Sequence, residues 1–406
     1  MRHRHPRFLG AGWLAILLVV AACAPAAAPA PAQPSKPGGS QAAGVAAGAG
    51  APPASAPAAP AAAAPTSAPA APSAAPAAQA PLLTTPRVAV KMGTSPVSAY
   101  GPFFIAQERG YFSELGLDVE LVNTTNTQEQ VPALTQGQLH VGSCGATLGC
   151  LNALSRRTDL KIVAGMVGSG KTEKSTGQNS LVVRKDLWDS GAVREAKDLA
   201  GHTVYLIAGE GSSAHSLLVH WLRRNGVDPS AVPVDRMPYP DQLVAITNGA
   251  IDAGIQAQPV LSTGLERGVT HLLATQEEMN SDGQTLFMMY WGGIDRLVPQ
   301  VGERIMVGYL KGVRDYMNAF EYGVDQDAII DIMVKETTLK DPAVYRRIPY
   351  GWTDPNGLLR RASVESDAQL FYELGLLREP VDLSQAYDDQ YRQAAVRYLG
   401  EYQPPR

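Results

Sequence analysis

The stretch Glu129-Gln130-Val131-Pro132-Ala133-Leu134-Thr135-Gln136-Gly137 returns later in the chain as Asp241-Gln242-Leu243-Val244-Ala245-Ile246-Thr247-Asn248-Gly249, and beyond each copy a further glycine, Gly142 or Gly254, stands at the same offset. Each copy has the apolar spacing of a short helix closed by glycine, and each leads into a short apolar run, the pattern of a helix feeding a strand. One short match can arise by chance, but an acid-Gln pair, Ala, Thr and two glycines at common offsets favour a repeated unit. A chain carrying that unit twice is constrained to two similar α/β halves.

The surrounding sequence alternates in the same way. Strands are expected at 87–92, 118–122, 139–142 and 160–167, with helices at 103–109, 128–136 and 147–155 between them. A second series expects strands at 180–183 and 203–207, a helix at 213–224, and a helix and strand within 241–256. Such alternation gives an α/β fold with a mostly parallel sheet covered by helices. Ligands of open α/β sheets bind beyond the C-terminal ends of the strands. The two copies therefore nominate two facing edges, Ser143-Cys144-Gly145-Ala146-Thr147 and Gln256-Ala257-Gln258-Pro259, with a cleft between them. From about Val301 the pattern turns helical. Tyr309, Val313, Tyr316, Met317 and Phe320 at helical spacing read as core packing rather than a cofactor box.

The N-terminus looks built for export. Arg2, Arg4 and Arg7 precede an apolar run from Trp13 to Ala22, shorter than the roughly 20 residues that span a bilayer. The run closes in Val20-Ala21-Ala22-Cys23, which resembles the bacterial lipobox and so implies a lipid on Cys23; an ordinary signal with an incidental cysteine is the alternative. Residues 24–80 are almost wholly Ala, Pro, Gly, Ser and Gln, with Lys36 their one charge. That composition cannot recover the entropy lost on ordering, and it reads as a tether reaching on the order of 180 Å if fully extended.

The head from about Pro81 has more than 300 residues, room for two domains. With Arg2, Arg4, Arg7 and Lys36 set aside, the chain's 34 Lys and Arg fall to 30 against 38 Asp and Glu, a net charge near −8 that argues against nucleic acid and anionic membrane surfaces as partners. Cys144 and Cys150 alone follow Cys23, and they are expected as two buried thiols rather than a bridge.

Lys91-Met92-Gly93, Gly101-Pro102-Phe103-Phe104-Ile105-Ala106, Gly110-Tyr111-Phe112 and Gly116-Leu117-Asp118-Val119 give the head a family resemblance, continued by Ala133-Leu134, Gly137 and Gly142-Ser143. In the second half Asp198-Leu199-Ala200-Gly201 and Gly249-Ala250-Ile251-Asp252-Ala253 add to it, with Glu373-Leu374-Gly375-Leu376 near the end. The head resembles the nitrate/sulfonate/taurine-type periplasmic binding proteins, a family that also includes binders of a thiamine pyrimidine precursor. The resemblance covers essentially the whole head. It implies a bilobed type II periplasmic-binding-protein fold, two doubly wound α/β lobes joined by two crossovers. Lobe I would be 86–177 with 283–406 and lobe II 178–282, after a signal peptide at 1–22 and a lipidated tether at 23–85. It further implies a monomeric, extracytoplasmic protein without cofactor or catalytic activity. Such a protein captures a small polar or anionic solute, sulfonate-, nitrate- or taurine-like, for a membrane-embedded ABC permease. A thiamine-precursor pyrimidine is the alternative ligand; a lipid-anchored sensor and an exported hydrolase are the alternative roles.

Candidate ligand contacts sit at the strand ends. Thr94 and Ser95 follow the first strand and Tyr100 precedes the first helix, although the same residues suit any polar loop. Ser143, Cys144, Gly145 and Ala146 in one half, and Gly211, Ser212 and Ser213 in the other, offer hydroxyls and backbone N–H groups at helix starts. An anion is favoured there, and serine is equally an ordinary cap. Gln256 and Gln258 can both donate and accept hydrogen bonds, and Trp291 is either an apolar wall of the site or core. Gly165-Met166-Val167-Gly168-Ser169-Gly170-Lys171-Thr172 satisfies G-x-x-x-x-G-K-[ST], but the polar stretch Glu173-Lys174-Ser175-Thr176-Gly177 follows where a phosphate loop needs a helix. It is read instead as the first crossing between lobes. His215 and His220, five apart, do not share a helix face, and no G-x-S-x-G elbow is present, so neither metal nor nucleophile chemistry is expected.

Overall fold

The computed structural model describes residues 82–406, apart from 83, 125–126, 157–158, 178, 292, 294 and 296–297. The expected signal peptide, Cys23 and the tether at 24–80 lie outside the described residues. The strands are β1 (Val88–Thr94), β2 (Leu117–Asn123), β3 (Val141–Cys144), β4 (Leu160–Gly165), β5 (Ser175–Thr176), β6 (Ser180–Arg184), β7 (Val204–Leu206), β8 (Val234–Arg236), β9 (Ala253–Gln256), β10 (Thr270–Ala274), β11 (Phe287–Trp291) and β12 (Tyr350–Gly351). The helices are α1 (Gly101–Glu108), α2 (Tyr111–Glu114), α3 (Thr127–Thr135), α4 (Leu148–Arg156), α5 (Lys185–Asp189), α6 (Ser213–Arg224), α7 (Tyr239–Thr247), α8 (Val260–Glu266), α9 (Gln276–Met279), α10 (Val301–Tyr322), α11 (Gln326–Glu336), α12 (Pro342–Arg347), α13 (Arg361–Glu373) and α14 (Gln390–Leu399).

Two five-stranded sheets organise a bilobed α/β fold. Their orders are β2-β1-β3-β11-β4 and β8-β7-β9-β6-β10, with a small β5-β12 ribbon beside them. β1 runs parallel to β2 and β3, and β7 parallel to β8 and β9. Both sheets are mostly parallel, as expected, with one antiparallel strand in each. β11 is antiparallel to both its neighbours and so is β6. The cause is topological: the chain leaves the first sheet at the C-terminal end of β4 and enters the second at the equivalent edge. The strand it then forms must run against those that end there, and the return through β11 repeats the geometry.

The repeat seen in the sequence extends much further in three dimensions. The offset of 112 residues that carries Gly142 to Gly254 also carries α3 onto α7 and β3 onto β9 end for end, and the starts of α1 and α4 onto those of α6 and α8. Even the pairing register repeats, Met92 lying opposite Val141 and Val204 opposite Ala253. The shared glutamines explain the shared glycines. Gln130 and Gln242 are fully buried. A Cβ on Gly142 would come within 3.2 Å of Gln130 Oε1, and one on Gly254 within 2.5 Å of Gln242 Oε1. Each helix thus lays its glutamine amide against its next strand at a glycine that leaves room for it.

α10 forms the spine of the first lobe. Ile305, Tyr309, Val313 and Tyr316 recur at helical spacing, and all are buried with Phe103 and Ile105 of α1, as the aromatic stripe led one to expect. The approach to α1 is close enough that a Cβ on Gly312 would meet the Pro102 carbonyl oxygen at 2.1 Å. Gly312→Ala should therefore destabilise the protein by roughly 1–3 kcal/mol in denaturant unfolding. Gly149 in α4 has nothing within 4 Å of a built Cβ, so Gly149→Ala should be neutral or stabilising by about 0.5–1 kcal/mol. Equal effects at the two positions would refute the packing argument.

Candidate functional site

Thr94, Ser95, Tyr100, Ser143, Cys144, Gly145 and Ala146 all fall at the C-terminal edge of the first sheet, and all are buried. They form a network that satisfies itself. Ser143 N–H donates to Gln130 Oε1 at 2.7 Å, while Gln130 Nε2 donates to Tyr100 Oη at 3.1 Å and to Thr124 Oγ1 at 2.9 Å. Tyr100 and Ser143 share a further hydroxyl contact, and burial pushes the Tyr100 phenol up from its ordinary pKa. Thr94 Oγ1 donates to Asn123 Oδ1 at 3.0 Å and Ser95 Oγ to the Thr124 carbonyl at 2.8 Å. Cys144 and Cys150 are unbridged buried thiols, as expected, and burial raises the Cys150 pKa.

The facing edge comes from the second sheet. Ser212 caps α6: its Oγ accepts from His215 N–H at 3.2 Å and donates to the Gly209 carbonyl at 2.7 Å. Gly211 N–H in turn donates to His215 Nδ1 at 3.2 Å, which requires that nitrogen to be unprotonated. Burial lowers the His215 pKa, against a weaker raising influence from Glu210. Gln258 Oε1 accepts from Ser262 N–H at 3.2 Å and so helps to begin α8. Gln256, the last residue of β9, is fully buried, and neither its Oε1 nor its Nε2 has a partner.

The two edges touch. A Cβ on Gly145 would lie 3.1 Å from Ser213 Oγ, and Leu148 N–H at the start of α4 donates to the Gly211 carbonyl at 3.0 Å. Val97 and Ser98 of one lobe meet Gln258 and Pro259 of the other around a cavity of about 20 Å³, room for little more than a water molecule. A larger hollow of about 270 Å³ lies along α13 and residues 380–384, but none of the strand-end residues lines it. The two crossings run side by side: Met166 N–H donates to the Leu286 carbonyl at 3.0 Å, and Thr285 N–H to the Val167 carbonyl at 3.0 Å.

Two sequence motifs resolve in this frame. No helix follows Thr172; β5 comes next. The N–H groups that would cradle phosphate are committed within the crossings, those of Gly168 and Ser169 to the Trp352 and Gly283 carbonyls and that of Gly170 to Glu277 Oε1. Trp291 is a correction. β11 enters at the cleft edge, so its last residue emerges at the opposite edge beside Leu160. There Trp291 Nε1 donates to Asp159 Oδ2 at 3.1 Å and the ring stacks on His140. What the sequence reading missed was Gln130 and Gln242 as parts of the polar edges, although their repetition was the signal. Among the described residues, no group of three or more His, Cys, Asp or Glu could hold a metal, and no helix is long and apolar enough to cross a membrane.

Comparison with known proteins bears on this geometry. The NMT1/THI5-like family model matches residues 98–260, in line with the resemblance read from the sequence. The bicarbonate transport ATP-binding protein CmpC of Synechococcus elongatus is 26% identical over 204 residues, a match that covers 48% of this chain but only 30% of that protein. Among solved structures, the periplasmic aliphatic sulphonate binding protein SsuA from Escherichia coli has a TM-score of 0.59 at 20% identity, covering 75% of this chain and 98% of its own. The periplasmic nitrate-binding protein NrtA from Synechocystis PCC 6803 reaches 0.62 at 12% identity, covering 77% and 89%. The desulfurization enzyme DSZB reaches 0.53 at 14% identity, covering 77% and 100%. At these identities the likeness is one of fold.

Burial of His215, whose neutral Nδ1 accepts from Gly211 N–H, gives the cleft loop a pH dependence. Because the folded pKa lies below the ordinary value of about 6.5, the stabilisation is complete above that value and is lost as pH falls through the folded pKa. Melting temperature measured from pH 7.5 to 5 should fall more steeply for the wild type than for His215→Gln; identical slopes would rule out this histidine as the source.

Proposed function

We propose that the protein is the extracytoplasmic solute-binding component of an ABC importer, closing two lobes on a small polar molecule. The observation that carries this reading is the meeting of the two strand-end edges, Gly145 against Ser213 and Leu148 against Gly211, across crossings that act as a hinge. In open α/β sheets that edge is where ligands sit. In this reading the lobes are 86–177 with 283–406, and 178–282. Cys23 carries the lipid, residues 24–80 hold the head away from the membrane, and a permease receives the solute. The relatives named for bicarbonate transport, nitrate binding and sulphonate binding support transport of a small solute.

The likeness to a desulfurization enzyme supplies an enzymatic alternative, but the hydroxyls at the cleft are engaged otherwise. Ser212 is held as a helix cap and Ser143 lies within the Gln130 network. The ligand contacts proposed are Gly145, Ala146, Gly211, Ser213, Gln256 and Gln258, with Tyr100 and Ser143 as the polar floor and Thr94, Ser95, Cys144 and Ser212 supporting them.

Titration calorimetry of the purified full-length protein against sulfonates, nitrate, bicarbonate, taurine and uncharged amides tests the reading. A solute at 100 times its Kd should stabilise the protein by about 2.7 kcal/mol. Ser213→Ala and Gln256→Ala should each weaken binding roughly tenfold with an unchanged circular dichroism spectrum. Silence across the panel, or turnover of a bound solute, would overturn capture. Metabolic labelling with palmitate should mark the wild type and not Cys23→Ala; equal labelling would remove the anchor.

A further inference from the structure

The second lobe's cleft edge is lined by carboxamides whose hydrogen bonds do not balance. Asn179, Gln256 and Gln276 lie at the start of β6, the end of β9 and just past the end of β10, which is one edge of one sheet. All are buried, with relative exposures of 4%, 0% and 0%. Ser180, opposite Gln256 in the β6–β9 ladder, is buried too. Ala253 and Ile255 pack into the α6 side of the sheet, so Gln256 shares the other face with Gly254, the face on which the Gln242 amide lies.

Four polar atoms in this set have no partner: Gln256 Oε1, Gln256 Nε2, Gln242 Oε1 and Gln276 Nε2. The orientations of two of these amides are fixed by what they do bond. Gln242 Nε2 donates to the Met237 carbonyl at 2.8 Å, and Gln276 Oε1 accepts from Asn179 N–H at 3.0 Å. The orphans are therefore two acceptors and two donors. The equivalent glutamine of the first lobe, Gln130, is saturated, so of the two repeated glutamines only Gln242 is left unbalanced.

An unpaired buried polar group costs about 1–3 kcal/mol, and a ligand that supplies the missing partners recovers it. An anion such as nitrate or an alkanesulfonate only accepts hydrogen bonds. It would pair the two donors and leave the two glutamine oxygens buried against its own negative charge. A cation has the converse fault. The neighbouring carboxylate, Glu277, is turned to Gly170 N–H and Gly177 N–H at 2.5 Å each rather than to these amides.

Resting on the capture reading, we propose that the solute is an uncharged molecule with a hydrogen-bond donor and acceptor on neighbouring atoms, of the carboxamide, urea or lactam class, held chiefly by the Gln256 amide, with Gln242 on the same face and Gln276 further along the same edge of the sheet. The lobes separate to admit it and close over it.

The test compares two sets of probes by calorimetry on the purified full-length protein: acetamide, urea, 2-pyrrolidinone and succinimide against nitrate, bicarbonate and ethanesulfonate. Binding confined to the uncharged set is expected, with a Kd that changes less than twofold between 20 and about 500 mM salt, since neutral ligands carry no screened charge. Gln256→Ala should weaken it at least tenfold. Gln256→Glu, which keeps the acceptor and removes the donor, should also weaken it at least tenfold. Binding of the anions alone would overturn this proposal and leave solute capture standing. Silence in both sets would remove the capture reading and this proposal with it. Neutral binding unaltered in both Gln256 variants would overturn the assignment of the site.

Discussion

Each time the chain crosses between lobes it leaves one sheet at the edge where the parallel strands end, and it can only enter the other sheet at the matching edge. This single condition sets the direction of β6 and β11, places both crossings at the mouth of the cleft, and brings the strand ends of the two sheets face to face. The crossings then bond to one another, Met166 to Leu286 and Thr285 to Val167. Two hydrogen-bonded strands at one side of a cleft leave little freedom except rotation about their own line. The connectivity thus puts both crossings on one side of the two facing edges.

Against that common frame the two lobes have diverged. The 112-residue offset preserves the strand-helix skeleton and the buried glutamine that lies against a glycine of the next strand, Gln130 in one lobe and Gln242 in the other. The surroundings differ. Tyr100 stands where the second lobe has Ser212, and Cys144 where it has Gln256. The tyrosine hydroxyl closes the first network, whereas the second lobe has a cap serine turned to its own helix and a carboxamide with no partner. The scaffold is symmetric and the chemistry of its two cleft edges is not.

How much of this was legible in the sequence depended on how local the cause was. The helix at 213–224 was readable to the residue, because Ser212 caps it and its basic last turn closes it. The strand expected at 139–142 lies at 141–144 instead: Leu139 is buried by tertiary packing before the strand begins, and local apolarity cannot separate the two cases. β8, three residues of Val-Asp-Arg, carries almost no strand signal and exists because β7 offers it an edge. The direction of β11 was invisible for a deeper reason, since it is a property of where the chain has been. Trp291 stands open in the sequence between an apolar wall of the site and core, and antiparallel entry carries it to the far edge. Gln256 was legible as a strand-end residue, while its lack of partners is a fact about all its neighbours at once.

Few contacts hold the lobes closed, which bears on how a solute could control them. Arg347 pairs with Glu266 and Arg223 with Glu373 across the gap, but both pairs are exposed and worth about 0–1 kcal/mol each. The Leu148–Gly211 backbone bond adds about 0.5–1.5 kcal/mol. His220 reaches Asp367 at 3.2 Å, yet burial raises the Asp367 pKa in spite of that partner, so desolvation opposes this pair as it forms. Moving a two-state balance from 1:99 to 99:1 takes about 5.5 kcal/mol of differential binding. The exposed ion pairs therefore contribute little between the lobes, and the Gln256 amide at the cleft edge is buried without a partner.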